Sequence, residues 1–153
     1  MNSKERLGLS GRLTIVLTGS DGAVKDQREI KNLIVTAGLA HITSRMLGTS
    51  SGVMSHMGLG AGTSPASAGD TNLGSLIGSR KALGSATQSG GSNESIVYAT
   101  TFDPGEATGA VTEAGIFNAS TSGTMLCRTV FPVVNKQAGD TLQITWTVTL
   151  SAA

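Results

Sequence analysis

With 153 residues the chain is long enough for one domain with its own core and too short for two comfortable ones. Eleven Lys and Arg against ten Asp and Glu give a net charge of +1, and charged residues form only 14% of the chain, against roughly 25% in ordinary domains. This balance argues against a partner captured by long-range electrostatics, nucleic acid above all.

No block of Lys and Arg offers a phosphate-tracking patch. The aromatic residues Tyr98, Phe102, Phe117, Phe131 and Trp146 are not interleaved with basic ones, as a base-stacking platform requires. The opening MNSKERLGLSG carries charge but no apolar h-region, and no run approaches the roughly 18 apolar residues of a membrane span. The expectation is a protein made in a cytoplasm, with no export signal and no membrane partner. The single cysteine, Cys127, excludes an internal disulfide and a cysteine-based metal site; in the strand-like run MLCRTVF it reads as a buried, inert thiol.

Residues 1–11 lie outside the first core pattern and are predicted as an N-terminal arm, leaving residues 12–153 as a single β-domain. Residues 12–18 (RLTIVLT) alternate with Leu13, Ile15 and Leu17 on one face, which predicts a strand. Ser20-Asp21-Gly22 follows as a turn, and residues 24–34 return as the second strand of a hairpin. The period then becomes helical through Leu39, Ile42, Met46 and Leu47. A helix over residues 36–47 is expected, with Thr36 as its N-cap, Gly48 ending it and the apolar stripe against the sheet.

Residues 53–60 (VMSHMGLG) read as a strand, 61–71 as a low-complexity loop and Leu73, Leu76 and Ile77 as one helical turn. Residues 80–88, 94–103, 110–118 and 124–131 read as further strands separated by Gly-rich turns, and 132–139 as a loop. The strongest signal closes the chain. Over residues 140–151 (DTLQITWTVTLS), Leu142, Ile144, Trp146, Val148 and Leu150 fall on one face and threonines dominate the other. About eight short strands and one helix predict an all-β antiparallel sandwich or barrel, with Trp146, Phe117 and Phe131 in its core. The threonine faces and scarcity of edge lysines suit a surface that pairs with another subunit, so a symmetric homo-oligomer is expected.

The pattern holds little chemistry. GLGAGT at residues 58–63 has Thr63 where a dinucleotide fingerprint needs its third glycine, and no Lys follows as a phosphate loop would need, so a flexible turn is expected. His41 and His56 lack Asp, Glu or Cys at a ligand spacing, which leaves structural or surface roles and no metal or cofactor. Glu106 and Glu113 are separated by a turn and a strand and do not form an acid/base pair. If STSG is a hairpin loop, Glu113 falls near Arg128 on the facing strand, and a cross-strand ion pair is expected. No catalytic constellation is present, and an enzyme is not expected.

Three stretches carry a resemblance: Ala37-Gly38-Leu39, the segment from Gly60 to Gly74 in GAGTSPASAGDTNLG, and Thr112 to Trp146, containing TEAGIFNA, MLCRTVFP and KQAGDTLQITW. Together they resemble small structural proteins of tailed bacteriophages, over residues 32–150. The resemblance implies a jelly-roll β-sandwich serving as a capsid cement or decoration protein. It would sit on the outer capsid surface as a dimer or trimer and bridge neighbouring major capsid subunits. Lys4, Glu5, Arg6, Leu7 and Leu9 of the arm are then the candidate contacts to the capsid. The EAGxF hairpin is also similar to the N-terminal domain of tail-collar fibre proteins; a chain ending at Ala153 after its last strand is the free-standing form expected of cement.

Overall fold

The computed structural model describes residues 6–49 and 52–152. In chain order the elements are β1 (Leu7–Thr18), β2 (Val24–Lys31), β3 (Leu33–Ile34), α1 (Thr36–Met46), β4 (His56–Gly60), β5 (Lys81–Ala82), β6 (Ser85–Ser89), β7 (Ser95–Phe102), β8 (Gly109–Phe117), β9 (Met125–Lys136) and β10 (Thr141–Ala152). They form two antiparallel five-stranded sheets, β2-β1-β10-β7-β6 and β3-β9-β8-β4-β5, packed as a sandwich with one short helix. The all-β expectation holds.

The spine is β1 against β10, in register from Leu7↔Ala152 to Thr18↔Thr141. Alternation places Leu13, Ile15 and Leu17 of β1 beside Leu142, Ile144, Trp146 and Val148 of β10, and β7 adds Tyr98 and Phe102. Met57, Leu59, Val111, Ala114, Ile116, Cys127, Phe131 and Val134 of the second sheet meet this face and complete the core. Phe117 is also buried, in a second small cluster with Val35, Leu73 and Met125. The β1–β2 turn forms as the sequence suggests: Gly22 takes a φ of 82° and the Asp21 carboxylate accepts the Ala23 amide at 3.0 Å.

Several boundaries differ from expectation. The predicted arm is, from Leu7 onward, the opening of β1, whose Leu7 and Leu9 pair with Ala152 and Leu150. Leu9 packs against the core, so the strand pattern begins before Leu13. Arg6 is exposed just ahead of β1, and Lys4 and Glu5 lie outside the described residues. The predicted second strand divides at Asn32: β2 pairs with β1, whereas β3 pairs with β9 in the other sheet. Gly11 makes the switch possible, because a Cβ there would fall 1.8 Å from the Asn32 side-chain oxygen. The predicted strand over residues 80–88 divides likewise at Leu83 and Gly84, whose amides donate to Ser55 and Ala99 in opposite sheets. The two sheets are thus joined by chain along both lateral edges. Residues 132–136, expected as loop, continue β9. Pro132 is tolerated at its outer side, where Arg28 of β2 donates to the Pro132 and Val133 carbonyls.

The helix occupies its expected place but shows a different face. Val35, not Thr36, is the N-cap, and the Thr36 amide is satisfied by the carbonyl of Ala68, 2.8 Å away. Gly48, with a φ of 70°, ends the helix in the left-handed conformation. The buried positions are Gly38 and His41, while Leu39, Met46 and Leu47 are exposed. Close approach to β9 decides this: a Cβ on Gly38 would lie 2.2 Å from the Leu126 carbonyl oxygen, so only a glycine can face the sheet there. Of the apolar stripe read from periodicity, Ile42 packs against the core as expected, whereas Leu39, Met46 and Leu47 turn toward solvent.

Trp146 is fully buried between Leu13 of β1 and Tyr98 of β7. Trp146→Ala is expected to destabilise the fold by about 3–5 kcal/mol through lost burial and a residual cavity. Chemical denaturation should show a lowered midpoint with an unchanged slope; an unchanged midpoint would count against the inner-face assignment.

Candidate functional site

Most β-sandwich sheets are wet on their outer face, but residues 113–117 of β8 and 125–129 of β9 are buried on both. The cause is the chain between β4 and β5, which folds back over the outside of their sheet as a third layer. Leu73 drops into the hollow left by Gly58 and Gly115, which pair across β4 and β8. Gly60 bridges to Leu76, and Ile77 donates its amide to Leu59. Residues 58–60 belong to β4, as the strand expected over residues 53–60 implies, so the flexible turn expected over residues 58–63 does not form there.

A buried carboxylate holds this layer down. Glu113 is 0% exposed and points outward from β8 into the returning chain. Its Oε1 accepts the amides of Gly62 at 2.9 Å and Ser75 at 2.8 Å, and its Oε2 accepts that of Gly74 at 2.9 Å. Arg128 of β9 donates Nε to the same Oε2 at 3.0 Å, with Nη2 at 2.9 Å. The ladder pairs Glu113 with Val130 and Arg128 with Gly115, so the ion pair is diagonal across the strands. Arg128 reaches further, donating to Asp70 Oδ2 at 2.8 Å and to the carbonyl of Ser64 at 3.0 Å. Asp70 in turn accepts the Ser67 amide at 2.9 Å.

The acceptor sites of the Glu113 carboxylate are saturated and the Arg128 fork is occupied on every nitrogen. Burial alone would raise the Glu113 carboxyl, but the amides of Gly74, Ser75 and Gly62 and the Arg128 guanidinium together hold it below its ordinary value of 4.5. Asp70 is also lowered, chiefly by the Ser67 amide and then by Arg128. Glycine is required beside this group: a Cβ on Gly60 or Gly62 would come within 2.4 or 2.5 Å of Glu113 Oε1. The sequence identified the Glu113–Arg128 pair but not Asp70 or the amides it holds, since these lie in a segment without periodicity.

This is an anchoring site with no reactive group left over. Elsewhere, Ser55 Oγ lies 2.8 Å from His56 Nδ1, and among the described residues no carboxylate touches the other ring nitrogen. Buried Lys136 donates Nζ to the Asp103 carbonyl at 3.0 Å, and its ammonium is lowered by desolvation. Cys127 is fully buried and its thiol is raised well above the ordinary range by that burial, which matches an inert thiol. Among the described residues no cluster of His, Cys, Asp or Glu could hold a metal ion, and no helix is long and apolar enough to cross a membrane.

An apolar cleft of about 430 Å³ opens between α1 and one end of the sandwich, lined by Ile42, Met54, Ile96, Tyr98, Leu126 and Val148 among others. Its rim combines exposed apolar side chains with one charge: Met46 is 81% exposed and Val53 61%, Leu47 beside Met46 is 81% exposed, and Arg45 also lines the cleft. Burial, followed by the nearby Arg45 charge, lowers the pKa of His41 on the cleft wall. Comparison with family models, curated proteins and solved structures returns no match for this chain.

Arg128→Met should leave the Glu113 charge buried and unpaired, a change expected to cost about 3–5 kcal/mol. The carboxyls of Glu113 and Asp70 are depressed in the folded state. Their contribution is therefore complete above the unfolded values near 4.5 and 3.8 and lost as pH falls through the folded ones. Thermal midpoints followed from pH 7 to pH 3 should decline for the natural protein and decline less for Glu113→Gln; parallel slopes would remove Glu113 from the titration.

Proposed function

We propose that this chain is a tailed-phage virion structural protein, a capsid cement of jelly-roll type that binds the outer surface of the assembled shell as a homo-oligomer and bridges neighbouring major capsid subunits. One observation carries the reading. The stretches that resemble the phage proteins converge in space: Glu113 and Arg128, from TEAGIFNA and MLCRTVFP, grip the Gly60 to Gly74 segment. That segment receives the helix start beside Ala37-Gly38-Leu39 through the Thr36 amide and the Ala68 carbonyl. Residues far apart in the chain therefore serve one device, as a shared fold signature requires. The device consumes its own charges, which supports a binding role over a catalytic one.

Cement acts by mass action, because a protein that binds the assembled lattice and not free subunits stabilises the shell. At a hundred times its dissociation constant the gain is roughly 2.7 kcal/mol per site. Contact with two capsomers adds multivalency, since the second contact is intramolecular once the first is made. The exposed apolar rim of the cleft is the surface best suited to the capsid contact, because desolvating Met46 and Leu47 is favourable and needs no charge partner.

The test uses virions of the encoding phage from which this gene has been deleted. Added protein should decorate the capsids and raise their temperature of disruption. Met46→Asp with Leu47→Asp should fold normally, as both positions are exposed, yet lower capsid affinity by at least about tenfold, or roughly 1.4 kcal/mol. Density for the protein on the tail instead of the shell would replace this reading with the collar or fibre one.

A further inference from the structure

We infer that β6 is a self-pairing edge, through which two copies of this chain join their sheets antiparallel about a two-fold axis at Thr87. This deepens the proposed homo-oligomer and rests on that reading only for its biological use.

The two sheets present four edges. β3 and β5 are two residues long, too short to template a partner strand. β2 has eight residues, but Lys25, Asp26, Arg28, Glu29 and Lys31 guard it, and Arg28 ties it across to β9. β6 (SATQS) is the exception. It pairs with β7 on one side, and among the described residues no strand pairs with the other. All five residues are exposed, and none is charged or proline. Natural sheets rarely leave such an edge without a lysine, a proline or a cover.

The sequence of β6 is also self-complementary. An antiparallel two-fold centred on Thr87 sets Thr87 opposite Thr87, Ser85 opposite Ser89 and Ala86 opposite Gln88. No like charges meet, and Thr and Ser side chains form favourable cross-strand pairs. The same register sets Gly84 of one copy opposite Gly90 of the other, where Gly90, with a φ of 94°, turns the chain out of the strand beside the Glu94 side chain. The paired edge is about 17 Å long and isologous, joining two five-stranded sheets into one continuous sheet. Any other register leaves part of the strand unpaired.

The experiment takes the full chain in solution. Sedimentation velocity from about 1 to 200 μM should show a concentration-dependent dimer, which a short edge implies. Ala86→Lys with Gln88→Lys should be monomeric with an unchanged melting midpoint, whereas Gln27→Lys on the β2 edge should still dimerise. Register is read by oxidation. Opposed Cα atoms across an antiparallel ladder lie about 4.5–5.5 Å apart, within disulfide reach, so Thr87→Cys should crosslink to its own copy. Ser85→Cys should not, because its symmetry mate sits about 14 Å along the strand. The native Cys127 is buried and does not interfere. A monomer throughout the range, a dimer that survives the β6 lysines, or equal crosslinking at both positions would each overturn the inference. None of these outcomes bears on capsid decoration by a monomer, so the two readings fail separately.

Discussion

The third layer over the β8–β9 sheet depends on one carboxylate that water does not reach. Glu113 would be costly to bury alone, and it is tolerated because three backbone amides and Arg128 surround it. Those amides belong to Gly62, Gly74 and Ser75, in a stretch with no hydrogen-bonded ladder of its own beyond its two ends. The ion pair thus substitutes for secondary structure. Through Asp70, Ser64 and the Ala68 carbonyl its influence reaches the start of α1, so the third layer and the helix form one connected unit.

The two faces of this molecule are stabilised by different physics. The β1–β10–β7 sheet relies on alternation and area: its inner face is apolar, and its outer face is threonine-rich. The β8–β9 sheet is covered on its outer side over residues 113–117 and 125–129, where side chains pack under Leu73 or enter the ionic network, while Val133 and Asn135 remain exposed. Destabilising the ionic network is therefore expected to loosen one side of the sandwich before the other, in the manner of a local opening. Arg80, lying 3.5 Å over the Phe117 ring and donating to the carbonyls of Ala119 and Ser122, pins the far end of the same layer.

A protein with few charges, most of them engaged with each other, has its surface chemistry set by what remains. Arg12 with Glu29, Lys25 with Asp140 and Lys81 with Asp103 and Glu106 are pairs along strand ends and turns. What remains is mostly apolar at the mouth of the cleft, beside Arg45, and neutral along β6. Both features favour contacts made by shape and desolvation over contacts steered by charge.

Local order in the chain determined much of this. Alternation over residues 140–151 set β10 and its buried face, the Asp21-Gly22 turn set the first hairpin, and 3.6-residue spacing with Gly48 set the helix. These signals were legible because each is a local interaction with a fixed period. Charge scarcity near the STSG turn even allowed Glu113 and Arg128 to be matched. Tertiary structure decided the rest. Continuous-looking strands over residues 24–34 and 80–88 each cross between sheets, because the sandwich closes at Asn32 and at Gly84 and strand propensity carries no record of which sheet a residue joins. The helix turned Leu39 and Met46 outward because β9 approaches within glycine distance of Gly38, a contact periodicity cannot register. Residues 61–76 have no period at all; they acquire one conformation only when the buried charge of Glu113 demands their amides.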